Sequence, residues 1–236
     1  MLQDIFSQGT LEMSSIPVQA AAASRGWADV LSNRILVVVA VAAVLLDLSD
    51  MMGIFPQTRD CLRRAKGNVN MEHSLSVARS RNLSALVCAL PFCLVADRLG
   101  LYGAAWMGEV PPGWSVAAIA GVLTAYMTLR LLLSVPLMPR SLDSESSKAA
   151  HRAILTYFIA LTAVALATMG AMMLLKAPEA AIRTVILWET AAFWLLSTVR
   201  SGQILASRCG GFQAFLYLCG LEILPAGLLV CSAVLL

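Results

Sequence analysis

The sequence predicts an all-α fold: a polytopic helical membrane protein with about six transmembrane helices in one integral membrane domain that covers residues 1–236. Hydrophobic residues make up 59% of the chain and charged residues 13%, and the mean hydropathy is +0.78. Soluble domains are less apolar. In addition, the charged residues concentrate between long apolar stretches. The solvent for most of this chain is therefore expected to be lipid.

Six apolar stretches approach the length of a membrane-spanning helix. A helix needs about 20 residues to cross about 30 Å of hydrocarbon. The stretches lie at 35–55, 83–101, 115–138, 153–175, 181–206 and 212–236, and the last four fit this requirement better than the first two.

The first two stretches contain prolines and charges near their ends. Asp47 and Asp50 fall in the last turns of the first stretch, and we expect both at the membrane interface, with Pro56 ending the helix. Pro91 predicts a kink in the second stretch, which ends near Asp97 and Arg98.

Two segments outside these stretches are polar. Residues 1–30 are expected to form a polar or interfacial segment, without the basic start and apolar core of a signal peptide. Residues 56–82 form a basic connection that is predicted to be cytoplasmic and that could form an amphipathic helix. Attraction of its basic side chains to anionic lipid is favoured over docking of a partner protein.

The basic residues predict the orientation of the helices. Lys and Arg in short loops are retained on the cytoplasmic side. Eleven basic residues fall in or beside the first, third and fifth connections, and five fall on the other side. The asymmetry places these three connections in the cytoplasm and both termini outside it.

Small residues four positions apart mark one face of the third and of the fourth stretch. Such residues let helix backbones approach closely in lipid. We expect the two faces to meet, because a short connection makes these helices antiparallel neighbours. The small residues are Ala117, Gly121 and Ala125 in the third stretch and Ala163, Ala167 and Ala171 in the fourth.

Glu222 lies in an otherwise apolar run of the last stretch. A charge at membrane depth costs about 2.5–3.5 kcal/mol on insertion scales, so it usually has a partner or a function. At a rise of 1.5 Å per residue, Glu222 lies about 15 Å along its helix from Phe212, and Arg130 lies about 13 Å along its helix from Pro139. Because Phe212 and Pro139 are expected on the same side of the membrane, Glu222 and Arg130 lie at similar depths. Arg130 is therefore the first candidate partner, Arg200 is a second, and Glu189 is a poorer match in depth to both arginines.

Pro225 follows Glu222 by three residues and cannot donate a backbone hydrogen bond to the carbonyl of Leu221. The helix is expected to open beside Glu222. Transporters use broken helices of this kind to bind ions or protons, but a kink held by an arginine has the same sequence. We favour structural pairing over transport.

Catalytic and ligand-binding patterns are not evident in the sequence. His73 and His151, the two histidines, lie in polar connections and are predicted to be solvated. Neither has a second ligand at metal-binding spacing, and no hydrolase or phosphate-loop motif is present. The six cysteines resemble small buried apolar residues. The sequence therefore predicts no enzyme, no cofactor, no metal and no nucleic-acid partner.

The last third of the chain resembles a family of Bacteroidota inner-membrane proteins known as domain of unknown function 4271. The resemblance rests on the run from Leu195 to Leu205 and on the pattern Phe-x-x-Phe-Leu-Tyr-Leu-Cys-x-Leu-Glu-Ile-Leu-Pro that ends at Pro225. It implies a multi-pass protein of the bacterial cytoplasmic (inner) membrane. The residues that fall on the family pattern are Arg200, Tyr217, Glu222 and Pro225. The resemblance implies no activity.

These patterns favour a non-enzymatic, substrate-free accessory or assembly component of a bacterial inner-membrane or envelope complex. Its expected partners are the lipid bilayer and other membrane proteins. The alternative is a small proton- or ion-coupled carrier that uses Glu222. The carrier is disfavoured because the chain shows no internal repeat of the kind from which many transporters are built.

Overall fold

The computed structural model describes residues 26–63, 74–137, 144–207 and 211–235, and 90% of these residues are helical with no strand among them. Six helices are long and apolar enough to cross a membrane. The predicted all-α, multi-pass architecture is thus confirmed. The helices are α1 (Leu31–Arg63), α2 (Leu75–Arg98), α3 (Ser115–Leu137), α4 (Ser144–Leu174), α5 (Glu179–Ala206) and α6 (Gly211–Leu235).

Helix α1 continues through Pro56, and the prediction that this proline ends the helix is wrong. Two contacts are present beside this proline. Ile54 is buried in a cluster with residues of α2 and α4, and the Thr58 hydroxyl donates a hydrogen bond to the Ile54 carbonyl (3.0 Å). Prolines are tolerated within membrane helices that pack against neighbouring helices.

The ends of the predicted basic connection 56–82 belong to helices. Residues 56–63 complete α1, and 75–82 form the first turns of α2. Arg81 in that part of α2 is buried. Residues 64–73 lie outside the described part of the chain, as do residues 1–25 of the predicted N-terminal segment.

Asp47, predicted at the membrane interface, has its side chain buried against other helices of the bundle. It lies midway along the 33 residues of α1 and is 5% exposed. Neither carboxylate oxygen has a hydrogen-bond partner in the described part of the chain. Asp50, one turn further on, is exposed. The two aspartates differ in burial because Asp47 lies on the face of α1 that packs against α2, where it comes near Cys88.

Helix α2 is at the centre of the bundle and packs against α1, α3 and α4. Half of its most apolar segment (50%) is buried, compared with 11% for α1. Three of the four core clusters include residues of α2. Such a central helix faces little lipid, which explains why it tolerates more polar residues than α1 does.

The small-residue faces of α3 and α4 do not meet, so that prediction is wrong. The five alanines and the glycine that form these faces are all exposed. Helix α3 instead uses Val116 and Ile119 to pack against α1 and α2, and further along the chain it packs against α6. The main partners of α4 are α5 and α2.

Helix α6 closes the bundle beside α3 and α5. Its first half joins α4 and α5 in an apolar cluster that includes Leu221, Tyr217, Ala150, Ile204 and Leu205. Leu133 of α3 packs against the same cluster. This arrangement brings Arg130 and Glu222 to the same place.

Candidate functional site

Glu222 lies in an irregular turn of α6. Residues Cys219–Ile223 form a π-helical turn between two α-helical halves of α6. A π-helical turn places side chains differently from an α-helix and is frequent at functional sites. Here the turn directs Glu222 into the bundle, where its side chain is 0% exposed.

Pro225 follows this turn directly and is buried. A proline cannot donate the backbone hydrogen bond that an α-helix requires at its position. The π-helical turn and the proline therefore occur together at the point where the sequence predicts that the helix opens.

Arg130 of α3 is the partner of Glu222. Its Nη2 donates to Glu222 Oε1 in a buried ion pair, and its Nη1 donates to the backbone carbonyl of His151 in α4 (3.0 Å). The side chain is 2% exposed. One guanidinium thus connects α3, α4 and α6.

Two tyrosines lie next to this ion pair. Tyr217 and Tyr126 are both close enough to Arg130 and Glu222 to interact with them electrostatically. The buried Tyr217 hydroxyl and Glu222 Oε2 have no hydrogen-bond partner in the described part of the chain. Tyr126 also lies beside Trp194 of α5.

Arg200 and Glu189, the other charged residues of the predicted network, have other partners. Arg200 donates to Gln203 Oε1 (2.7 Å) and to the carbonyl of Leu62 at the end of α1 (3.1 Å). Glu189 accepts a hydrogen bond from the Thr168 hydroxyl of α4 (2.6 Å) and is half-buried. Both residues therefore contribute to contacts of α5 with neighbouring helices.

The sequence did not indicate the roles of Tyr126 and His151. Tyr126 is one helical turn from Arg130, and this spacing could have identified it as a neighbour. His151 was expected in a solvated connection, but it lies in α4 and is half-buried. Its contribution is a backbone carbonyl, for which no sequence signal exists.

The geometry of this site is that of a polar clamp between helices. The guanidinium neutralises the carboxylate and also donates a hydrogen bond to a backbone carbonyl. These interactions offset part of the free-energy cost of removing the ionised pair from water. Within the described residues, no group of three or more His, Cys, Asp or Glu side chains is placed to hold a metal ion.

The fold and the site define a multi-pass helical membrane protein with a buried ion pair between its third and sixth helices. Comparisons with models of protein families, with curated proteins and with solved structures found no match.

Proposed function

We propose that this protein is a non-enzymatic accessory or assembly component of a bacterial inner-membrane or envelope complex. The observation that carries the proposal is the pairing of Glu222 with Arg130, which are 0% and 2% exposed. A carboxylate that neutralises an arginine between packed helices leaves neither helix with an uncompensated buried charge. A carrier would have to release and rebind a proton or an ion at the same group.

The surroundings of the ion pair support a structural role. Arg130 also binds the His151 carbonyl, so moving the arginine away from Glu222 would break contacts to two helices at once. One cavity of the bundle lies between α1, α2 and α4, and a second lies beside Trp27 and the start of α1. Neither of these two cavities is lined by Arg130 or Glu222.

The proposal includes membership of the family named domain of unknown function 4271 and a location in the inner membrane. Both rest on the C-terminal pattern that contains Tyr217, Glu222 and Pro225. In the structure these residues line the ion pair or adjoin its helical turn. The proposed partners are other membrane proteins of the complex, which would contact the lipid-facing helices.

A small proton- or ion-coupled carrier is the second candidate. It is favoured by one observation: Glu222 lies in a π-helical turn, and its Oε2 and the Tyr217 hydroxyl have no hydrogen-bond partner among the described residues. A transported proton or ion could bind at these atoms when the helix moves.

The experiment that separates the two functions is replacement of Glu222 by Gln in a strain that lacks the wild-type gene. An accessory protein should lose stability, because Arg130 is left as an uncompensated buried charge, and the complex should assemble wherever the protein survives. The matched control is Glu179→Gln, an exposed glutamate in the first turn of α5.

The measurements are protein abundance, melting temperature, growth of the strain and the proteins that co-purify in mild detergent. A Glu222→Gln protein that is as abundant and as stable as Glu179→Gln, yet does not restore growth, would contradict the accessory role and support the carrier.

A further inference from the structure

An apolar groove of about 460 Å³ runs along the side of the bundle between α1, α2 and α4. It is lined mainly by aliphatic and methionine side chains, among them Val37, Val41, Leu45, Leu94, Leu166 and Met169. From Val37 to Leu45 the helix rises about 12 Å. The hydrocarbon of one leaflet is about 15 Å thick, so the groove matches one acyl chain in length.

One end of the groove has a polar rim formed by the short segment Trp27–Asp29 before α1 and by the end of α2. Trp27 and Arg98 line this end. The Trp27 indole nitrogen donates to Asp97 Oδ2 (2.6 Å), and the Arg98 guanidinium lies 5.5 Å from the centroid of the Trp27 ring. Arg98 Nε is buried without a hydrogen-bond partner in the described part of the chain.

A second cavity, of about 340 Å³, adjoins the groove at this rim and is lined by Trp27, Ala28, Arg34 and Val37. Trp27 and Val37 line both cavities. The two cavities together therefore offer an apolar space between the helices and an adjoining space at its rim that includes the charged side chain of Arg34, with Trp27 between them. Tryptophan is enriched in membrane proteins at the interface between the lipid and water.

The charges around the rim balance. Arg34 and Arg98 carry two positive charges, and Asp29 and Asp97 carry two negative charges. Arg34 Nη2 lies 3.1 Å from Asp29 Oδ1 at an exposed position. Such a rim supplies guanidinium donors for a phosphate and carboxylates for an ammonium group, but no excess positive charge for an anionic headgroup.

We propose that this groove binds a zwitterionic glycerophospholipid whose headgroup carries an ammonium group, such as phosphatidylethanolamine. One acyl chain lies between α1, α2 and α4, the phosphate accepts hydrogen bonds from Arg98, and the ammonium group lies near Asp97 and Asp29. The site is separate from the proposed function. Arg130 lies about 22 Å along α3 from Ser115, toward the opposite face of the membrane.

The test is a lipid titration of the full-length protein in mild detergent after removal of native lipid, with bound lipid counted by native mass spectrometry. Dioleoyl phosphatidylethanolamine should bind several-fold more tightly than dioleoyl phosphatidylglycerol. Arg98→Gln should weaken phosphatidylethanolamine binding about tenfold, as expected for loss of a hydrogen bond to a charged group. Arg183→Gln is the control, because this exposed arginine of α5 does not line the groove.

A second pair of variants tests the acyl-chain part of the site. Val41 lines the groove, and Val38 lies on the same helix outside it; both are exposed. Val41→Trp should fill the groove and reduce phosphatidylethanolamine binding, whereas Val38→Trp should not. Because Val41 lies away from the rim, this pair remains informative even if Arg98→Gln does not fold. Equal or tighter binding of phosphatidylglycerol, or wild-type binding by folded Arg98→Gln or Val41→Trp, would overturn the proposal.

Discussion

Arg130 and Glu222, which are 92 residues apart in the chain, form a buried ion pair that joins α3 to α6. Each residue makes the other tolerable at membrane depth. Removal of one partner from a buried pair costs about 3–5 kcal/mol, whereas replacement of both by neutral side chains of similar volume is often neutral or stabilising. The stability of this protein should therefore depend on the pair as a unit.

Single replacement of either partner should destabilise the protein. Arg130→Met and Glu222→Gln should each lower the apparent melting temperature by about 10 °C, the shift expected for the loss of a few kcal/mol in a chain of this size. The Arg130→Met, Glu222→Gln double variant should recover much of the loss. The measurement is thermal unfolding in mild detergent followed by size-exclusion chromatography. Losses that simply add in the double variant would show that the two residues are not energetically coupled.

Asp47 is expected to behave in the opposite way from Glu222. Its buried carboxylate has no hydrogen-bond partner among the described residues, so Asp47→Asn removes a charge whose desolvation is uncompensated. The melting temperature should rise or stay the same. Asp50→Asn, at an exposed position one turn away, is the control and should change little. A loss of stability as large as that of Glu222→Gln would show that the Asp47 carboxylate makes a stabilising interaction.

Gly113 occupies a position that excludes a side chain. Its φ is +100°, and a Cβ atom placed there would lie 2.5 Å from Ser32 Oγ in α1. Gly113→Ala should destabilise the protein by about 1–3 kcal/mol through backbone strain, with a further contribution from this clash. Gly108→Ala is the control, because a Cβ atom at that position would meet no neighbouring side chain or backbone atom within 4 Å. Equal melting temperatures for the two variants would contradict the close approach of this loop to α1.

The membrane orientation can be tested with an impermeant thiol reagent on intact spheroplasts. In a cysteine-free background, Asn68→Cys and Ser141→Cys should be protected until the membrane is permeabilised, because the basic residues place their connections in the cytoplasm. Gly108→Cys, in the exposed connection between α2 and α3, should be labelled at once. Labelling of the first two variants with protection of the third would reverse the orientation.

Composition and hydropathy along the chain were sufficient to predict the class of protein and the six spans, because lipid selects about 20 apolar residues for each crossing. The depth of Glu222 and Arg130 could also be obtained by counting residues, since a helix rises by a constant amount per residue. These properties belong to single helices. They do not depend on which helices are neighbours.

The tertiary structure determined the properties that depend on which helices pack against each other. It buried the Asp47 side chain against α2, and it selected Arg130 over Arg200 as the partner of Glu222. It also turned the small residues of α3 and α4 outward. The physical reason is that lipid tails are as apolar as the helix faces, so no hydrophobic force determines from the sequence which face is buried. Shape, hydrogen bonds and ion pairs between helices make that choice, and they exist only once the helices have packed.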